Sequence, residues 1–354
     1  MLKAAIQYAY INAKIRALKS RMLCGADYEN LLGVSGYCGM AECLKTTWYG
    51  AALSQFPASF DGLIRLFYQD LFDCYGKVIL SLSGNRKLLI QHLYQKYELE
   101  NLKAILRIIC QAKPKESMEQ LLLPTGERQS FSPQALLQAG SLEEVLLKLK
   151  GTGYYRPLKN AFHRFEEEKE TFPLEMALDL SYYSHLWKIV SSLGRRDQKI
   201  VKSILGVQMD VLNITWIFRF KEIYHFSPEE ILNYGLTQGR YISSELRKKM
   251  AYSVDRKDAV AHLTGTPYKA LLTDPASATV EDNPEACSIQ LWRYLLAVIK
   301  KNWQGFPFHI GIILDYVLFR EIEVKDLVSI TEAKRMNLSR ELVSKYLIQT
   351  VPYD

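Results

Sequence analysis

The chain has 354 residues, of which 48% are hydrophobic, and this is enough apolar material for two or three cores of ordinary domain size. Its formal net charge of +7, with both signs well mixed, suits an acidic surface or anionic lipid headgroups but falls short of a dedicated nucleic-acid binder. The six cysteines contain no C-x-x-C pair, which argues against a disulfide framework or a zinc site and favours a reducing compartment.

The first residues of the chain contain no unbroken apolar core. They soon reach Asn12, Lys14 and Arg16, so we expect no secretory signal peptide. No segment approaches the ~18 uninterrupted apolar residues of a membrane-spanning helix, and the best candidate, residues 310–319, contains Asp315. We therefore expect a protein that stays inside the cell and associates with membranes only peripherally.

One sequence pattern, Leu-x-x-Thr-x-Tyr-x-x-x-Leu, occurs three times. Each copy is followed by an acid and, three residues later, by an amide or a second acid. The copies of the pattern are Leu44-Thr47-Tyr49-Leu53, Leu149-Thr152-Tyr154-Leu158 and Leu263-Thr266-Tyr268-Leu272, and the polar pairs are Glu98/Asn101, Asp210/Asn213 and Glu323/Asp326. A repeat of roughly 110 residues exceeds any solenoid unit, so it predicts three similar modules, near residues 1–130, 131–238 and 239–354, with interleaving left open.

Helical periodicity dominates the chain. Apolar residues follow three-and-four spacing across residues 86–110, and the same periodicity surrounds the second and third polar pairs, which predicts three long amphipathic helices, the first about 40 Å long. Ser-Pro pairs at Ser132 and Ser227 predict the starts of short helices, and Ser339 keeps the serine alone. Period-two alternation is nearly absent, so the sequence predicts an all-α fold with loops at residues 113–130 and 274–284.

The sequence lacks the motifs that mark common enzymes. It contains no phosphate-binding loop, no dinucleotide fingerprint, no G-x-S-x-G elbow and no H-E-x-x-H, and its six histidines have no chelating partner at helical spacing. We therefore predict no catalytic residue, no cofactor and no metal.

The repeated polar residues are better candidates for a role. Glu98 and Asn101 share one helix face and could bond a neighbouring helix end or loop, as could Asp210 and Asn213, and we favour this structural interpretation. The threonine and tyrosine of the repeated pattern fit a helix C-terminal turn whose hydroxyls satisfy free backbone groups.

The first helix carries a dense family resemblance. Residues 8–23 resemble the Y-x-Y-x-N-A-[KR]-[IV]-R-x-[LM]-x-S-x-[LM]-L opening of the C subunit of V/A-type rotary ATPases, the counterpart of the eukaryotic d subunit. Further matches lie at residues 27–28, 31–32, 44–50, 98–107, 178–179, 182–183 and 323–327. The chain departs from the pattern at Asp326, where the family usually shows Asn, at Glu332, where the repeat predicts Arg, and in the longer segment 113–130.

This resemblance implies three helical bundles arranged pseudo-threefold as a funnel. It implies a non-catalytic rotor adaptor on the cytoplasmic face of the membrane, which links central-stalk subunits of the D and F type to the proteolipid ring and transmits torque for ATP-coupled proton or sodium transport. It implies neither nucleic acid nor a small molecule as a ligand. Candidates for ion pairs or hydrogen bonds between modules or with a partner are Arg16, Arg107, Arg219, Glu98, Asn101, Asp210, Asn213 and Glu323. The alternative is a free-standing α-helical scaffold that binds nucleic acid, suggested by the excess of basic residues and by 22 Tyr.

Overall fold

The computed structural model describes residues 2–110, 122–126, 129–273 and 284–349, and within these ranges it contains helices and loops but no β-strand. The all-α class is therefore confirmed. The α-helices are α1 (Leu2–Lys19), α2 (Gly25–Gly33), α3 (Gly36–Lys45), α4 (Phe60–Ile79), α5 (Gly84–Cys110), α6 (Pro133–Leu137), α7 (Leu142–Lys148), α8 (Tyr155–Glu168), α9 (Phe172–Ser191), α10 (Arg195–Glu222), α11 (Pro228–Asn233), α12 (Ser244–Tyr252), α13 (Arg256–Ala261), α14 (Pro267–Thr273), α15 (Pro284–Trp303), α16 (Ile310–Arg335) and α17 (Arg340–Lys345), and a 3-10 helix spans Trp48–Gln55.

The helices form two compact units. The smaller unit, Ser83–Ser192, packs α9 against both α5 and α8. The larger unit, Met1–Leu82 with Leu193–Asp354, is built around α16, which packs against α1, α4, α10 and α15. Because both ends of the chain lie in the larger unit, residues distant in sequence meet there.

The three predicted long helices are present as α5, α10 and α16. The short helices that follow them begin where the serines predict. Ser132, Ser227 and Ser339 cap α6, α11 and α17, and each hydroxyl oxygen accepts a hydrogen bond at 3.3 Å from the backbone N–H three residues later. Capping satisfies a backbone donor that a helix start leaves unpaired, and this explains why the serines mark these starts.

Helix α16 is the most deeply buried element of the larger unit. Its apolar surface is covered on several sides, and five charged residues are buried with it. These are Asp315, Arg320, Glu321, Glu323 and Asp326. Burial of a charge is costly unless it is paired or hydrogen-bonded, so these side chains need ion-pair or hydrogen-bond partners within the fold.

One helix in the described residues, α10, is long and apolar enough to cross a membrane. Its most apolar window is 67% buried inside the protein, as in the core helix of a folded domain. Length and composition alone therefore give only weak evidence for a span. Residues 310–319, the best candidate on sequence grounds, form the start of α16.

The predicted loops fall partly outside the described residues, namely at 113–121, 127–128 and 274–283. Residues 122–126 and 129–130 lie in no helix, and Pro284 begins α15. The module boundaries near residues 130 and 238 stay a prediction.

Candidate functional site

The repeated threonines form the predicted helix C-terminal turn. The hydroxyls of Thr47, Thr152 and Thr266 each donate at 2.7 Å to the carbonyl oxygen three residues earlier. The hydroxyl oxygens of Thr47 and Thr152 also accept from the backbone N–H two residues later, at 3.2 Å. Each turn thus satisfies a carbonyl that the preceding helix leaves free and sets the direction of the following tyrosine.

The three tyrosines point to the three repeated acids, but in a shifted order. Tyr154 donates to Glu98, and Tyr268 donates to Asp210 at 2.8 Å, so each of these acids bonds the tyrosine of the next copy along the chain. Glu323 accepts from Tyr49 at 2.9 Å, so the third acid bonds the first tyrosine. Each pair joins residues from two different copies of the repeat, while the module boundaries and their interleaving stay a prediction.

The same acids anchor the backbone of the segment that precedes each tyrosine. Asp210 accepts from the N–H groups of Arg240, Tyr241 and Ile242 at 2.8–3.2 Å. Glu98 accepts from the N–H of Ser130, and Glu323 accepts from that of Leu23 at 3.0 Å.

Burial raises the pKa of all three acids above its ordinary value, and hydrogen bonds partly offset that rise. In Glu323 the nearby charge of Arg320 provides the largest of these offsets. Because these buried carboxylates hold a tyrosine and a backbone segment by hydrogen bonds, we interpret them as internal anchors.

The amide three residues after each acid fixes a second backbone position. Asn101 accepts from the N–H of Leu123 at 2.8 Å and donates to the carbonyl of the same residue at 2.9 Å, and Asn213 does the same with Leu236 at 2.8 and 3.1 Å. Asp326 has no donor when ionised, and it instead accepts from two backbone N–H groups, those of Ile348 and Gln349, at 2.8 and 2.9 Å. Asp326 can therefore fix a backbone segment at the position where the other copies carry Asn.

Two of the three candidate arginines lie in the last turns of the long helices α5 and α10. Arg107 pairs with Glu175 in the first turn of α9, and Arg219 Nε lies 3.8 Å from a carboxylate oxygen of Glu285 in the first turn of α15. Glu332 occupies the corresponding position of the third copy, and one turn later Arg335 pairs at 2.5 Å with Asp61 in the first turn of α4. Exposed pairs of this kind are worth about 0–1 kcal/mol each.

Arg16 differs from these arginines. Its Nε donates to Oδ1 of Asn12 at 3.3 Å, and its guanidinium lies 5.5 Å from the centre of the Trp303 ring. Among the described residues it forms a hydrogen bond and a cation–π contact rather than an ion pair.

The most deeply buried cation among the described residues, Arg320, was not among the candidates predicted from the sequence. Its guanidinium donates to Glu323 and Asp70 and, at 3.2 Å, to the hydroxyl oxygen of Tyr49. Burial alone would lower the pKa of Arg320, but neighbouring negative groups, Glu323 first, reverse that effect and hold it above its usual value. The equivalent positions of the other copies hold Gln95 and Val207, so the repeat gives no signal for this residue.

A single glycine makes the anchor at Asp210 possible. A Cβ atom on Gly239 would lie 2.2 Å from Oδ1 of Asp210 and 3.1 Å from the carbonyl oxygen of Ile242. We expect Gly239→Ala to push the loop away from the carboxylate, weaken its backbone hydrogen bonds and destabilise the fold by roughly 2–3 kcal/mol in urea denaturation. Gly33→Ala is the control, because nothing lies within 4 Å of its Cβ position. Equal midpoints for the two variants would contradict this interpretation.

Two features of the described residues bear on metal and small-molecule binding. They contain no group of three or more His, Cys, Asp or Glu that could hold a metal ion. A cavity of about 640 Å³ lies at the end of α10, but its charged lining is engaged within the fold. Lys221 donates to the carbonyls of Ala251 and Ser253, and Glu222 pairs with Arg256.

Comparison with known proteins gives one consistent result. The sequence profile described as ATP synthase (C/AC39) subunit matches residues 11–346. The C subunit of the A-type ATP synthase of Methanocaldococcus jannaschii is 24% identical over 352 residues, covering 96% of this chain and 86% of the relative. That of Pyrococcus horikoshii is 26% identical over 326 residues, covering 92% and 86%. That of Methanosarcina mazei is 24% identical over 354 residues, covering 98% and 94%. A profile match across nearly the whole chain shows the family, and the chain therefore belongs to the ATP synthase (C/AC39) subunit family, which comprises the C subunits of V/A-type ATPases.

Proposed function

We propose that the chain is the non-catalytic rotor adaptor of a V/A-type ATPase or ATP synthase. It links central-stalk subunits of the D and F type to the membrane proteolipid ring and transmits torque for ATP-coupled proton or sodium transport. The observation that carries this proposal is the family match over residues 11–346, together with relatives that are named as C subunits of A-type ATP synthases and align along most of their length.

The internal contacts suit a part that bears load. A torque-transmitting adaptor needs stiffness and broad contact area rather than a reactive group. Long helices supply stiffness along their axes, and each of α5, α10 and α16 is fixed sideways by a buried carboxylate that holds a tyrosine and a backbone segment from elsewhere in the chain. Loss of such an anchor would let a helix shift under load.

The equivalent contacts of the three copies also support three similar helical bundles. We propose that they are arranged pseudo-threefold as a funnel, located peripherally at the cytoplasmic face of the membrane. In this arrangement Glu98, Asn101, Asp210, Asn213 and Glu323 hold segments of the chain together. Arg107 and Arg219 tie long helices to neighbouring ones, while Arg16 is the best candidate for a contact with a partner.

Affinity purification tests the proposed partners. The tagged full chain would be recovered from detergent-solubilised membranes of its native host, with the tag alone as the control, and the co-purifying proteins identified by mass spectrometry. We expect the catalytic A and B subunits, the D and F subunits and the proteolipid. Recovery of nucleic acid or of unrelated soluble proteins in their place would support the scaffold alternative.

Removal of the chain tests its role. Complexes isolated from a strain that lacks this protein are expected to retain ATP hydrolysis at other subunits but to lose ATP-driven ion transport, and re-addition of the purified chain should restore transport. An adaptor couples two processes, so the two activities must separate. Transport that persists without the chain would contradict the proposal, as would a loss of ATP hydrolysis by the catalytic subunits themselves.

A further inference from the structure

The third tyrosine–carboxylate site differs from the other two in chain connectivity. Glu98 and Tyr154, and likewise Asp210 and Tyr268, are fewer than 60 residues apart along the chain, and this short connection limits how far they can separate. Glu323 lies near one end of the chain, while its partners Leu23 and Tyr49 lie near the other. Closing a contact between distant segments costs more entropy than closing a short loop, so the third site needs stronger contacts to stay closed.

The third site has an additional group of charges. Arg320 bridges Glu323 to Asp70 of α4 and also contacts Tyr49. The side chain of Arg320 is only 3% exposed, and those of Glu323 and Asp70 are 0% and 14% exposed. Neither of the other sites has an arginine at this position. Ion pairs shielded from water are screened little by salt, and removing one member leaves a buried charge uncompensated.

Weaker contacts join the two ends of the chain around this group. The side-chain amide of Gln349 donates to the hydroxyl of Tyr28 at 3.0 Å, and Lys334 donates to the carbonyl of Leu32 at 2.6 Å. Arg340 pairs with Glu29, although both side chains are largely exposed. The segments that meet are therefore residues 23–55 from the start of the chain and residues 334–349 from its end.

We propose that Arg320, Asp70 and Glu323 form a clasp that holds the first and last segments of the chain together. The clasp takes the place of the short chain connection that the other two sites have. With the clasp closed, residues 23–55 stay on α16. With it open, those residues and the segment 340–349 come free together while the sites at Glu98 and Asp210 stay formed. This proposal does not depend on the rotor assignment, since it concerns the chain by itself.

Hydrogen exchange of the full-length chain tests the clasp. The variants are Arg320→Met and the double variant Arg320→Met with Asp70→Asn, which leaves one fewer unpaired buried charge. We expect the amides of residues 23–55 and 340–349 to exchange at least about tenfold faster, the equivalent of 1.4 kcal/mol of opening free energy. The amides of residues 236–268 should be unchanged.

Tyr268→Phe is the matched control and should leave the chain ends protected. Acceleration spread evenly over the larger unit would overturn the proposal. If Arg320→Met does not fold, Asp70→Asn alone gives the same comparison.

A change of connectivity separates a clasp from an ordinary buried ion pair. In a rearranged full-length chain, a flexible linker of about 20 residues joins the original ends, and new ends are opened within residues 274–283. The third site then has a shorter chain connection of its own, and the other two sites keep theirs. We expect the clasp substitutions to accelerate exchange of residues 23–55 less than half as much as in the original chain, because the linker keeps the ends close. Equal acceleration in both chains would overturn the proposal, as would failure of the rearranged chain to fold.

Discussion

Replacing Asp210 by alanine is expected to destabilise the folded chain by roughly 3–5 kcal/mol, because four hydrogen-bond donors lose their acceptor at once. Three of these donors are the consecutive backbone N–H groups of residues 240–242, and the fourth is the hydroxyl of Tyr268. Asp210 is completely buried, so the donors that lose it do not face bulk water. Urea denaturation followed by circular dichroism measures the loss, and exchange of the amides of residues 240–242 would locate it.

The control for this variant removes only one donor. Tyr268→Phe keeps the ring and the carboxylate and should cost about 1 kcal/mol, the net value of one buried hydrogen bond. The difference between the two variants then measures what the backbone donors contribute. If Asp210→Ala proved no more destabilising than Tyr268→Phe, the carboxylate would not be an anchor for the loop.

The features that could be predicted from the sequence are those that local interactions determine. Three-and-four spacing of apolar residues identifies α5, because a helix of that length must bury one face wherever its partners lie. The serine caps at Ser132, Ser227 and Ser339 and the turn at Thr47 involve atoms a few residues apart, so the sequence pattern contains both partners.

Pairings between distant residues could not be predicted in the same way. Three similar tyrosines and three similar acids allow several orders of pairing, and nothing local to Tyr154 specifies Glu98 rather than Asp210. The ion pair of Arg335 with Asp61 was missed because the arginine is displaced by one turn from the repeat position at Glu332. Arg320 and Asp315 occur in one copy only, so the repeat gave no reason to single them out as functional or structural residues.

Asp315 shows why a buried acid needs the structure for its interpretation. On sequence grounds it only interrupts an apolar run. In the fold it is 0% exposed, its Oδ2 accepts from the side-chain amide of Asn302, and its Oδ1 has no hydrogen-bond partner among the described residues. Burial raises the pKa of Asp315 to about 8, against 3.8 in an exposed chain, and the Asn302 hydrogen bond offsets this only in part.

This raised pKa predicts a loss of stability as the pH rises. Between pH 3.8 and 8 the folded state keeps a proton on Asp315 that the unfolded chain has released, so the free energy of unfolding falls by up to about 1.4 kcal/mol per pH unit from this group. Asp326, whose pKa burial raises to about 7, acts in the same direction. His92 and His309, whose pKa values burial lowers from 6.5, act in the opposite direction, but only below pH 6.5. The clearest window is therefore pH 6.5 to 8.

Denaturation midpoints measured across this window test the prediction, with Asp315→Asn as the diagnostic variant. The asparagine oxygen can still accept from Asn302 but carries no titratable proton, so the variant should lose the part of the pH dependence that Asp315 contributes. We expect the original chain to lose roughly 2 kcal/mol from this residue between pH 6.5 and 8. The variant should therefore be the more stable protein at pH 8, with an advantage that shrinks towards pH 4. Parallel pH profiles for the two proteins would mean that Asp315 does not hold its proton in the folded state.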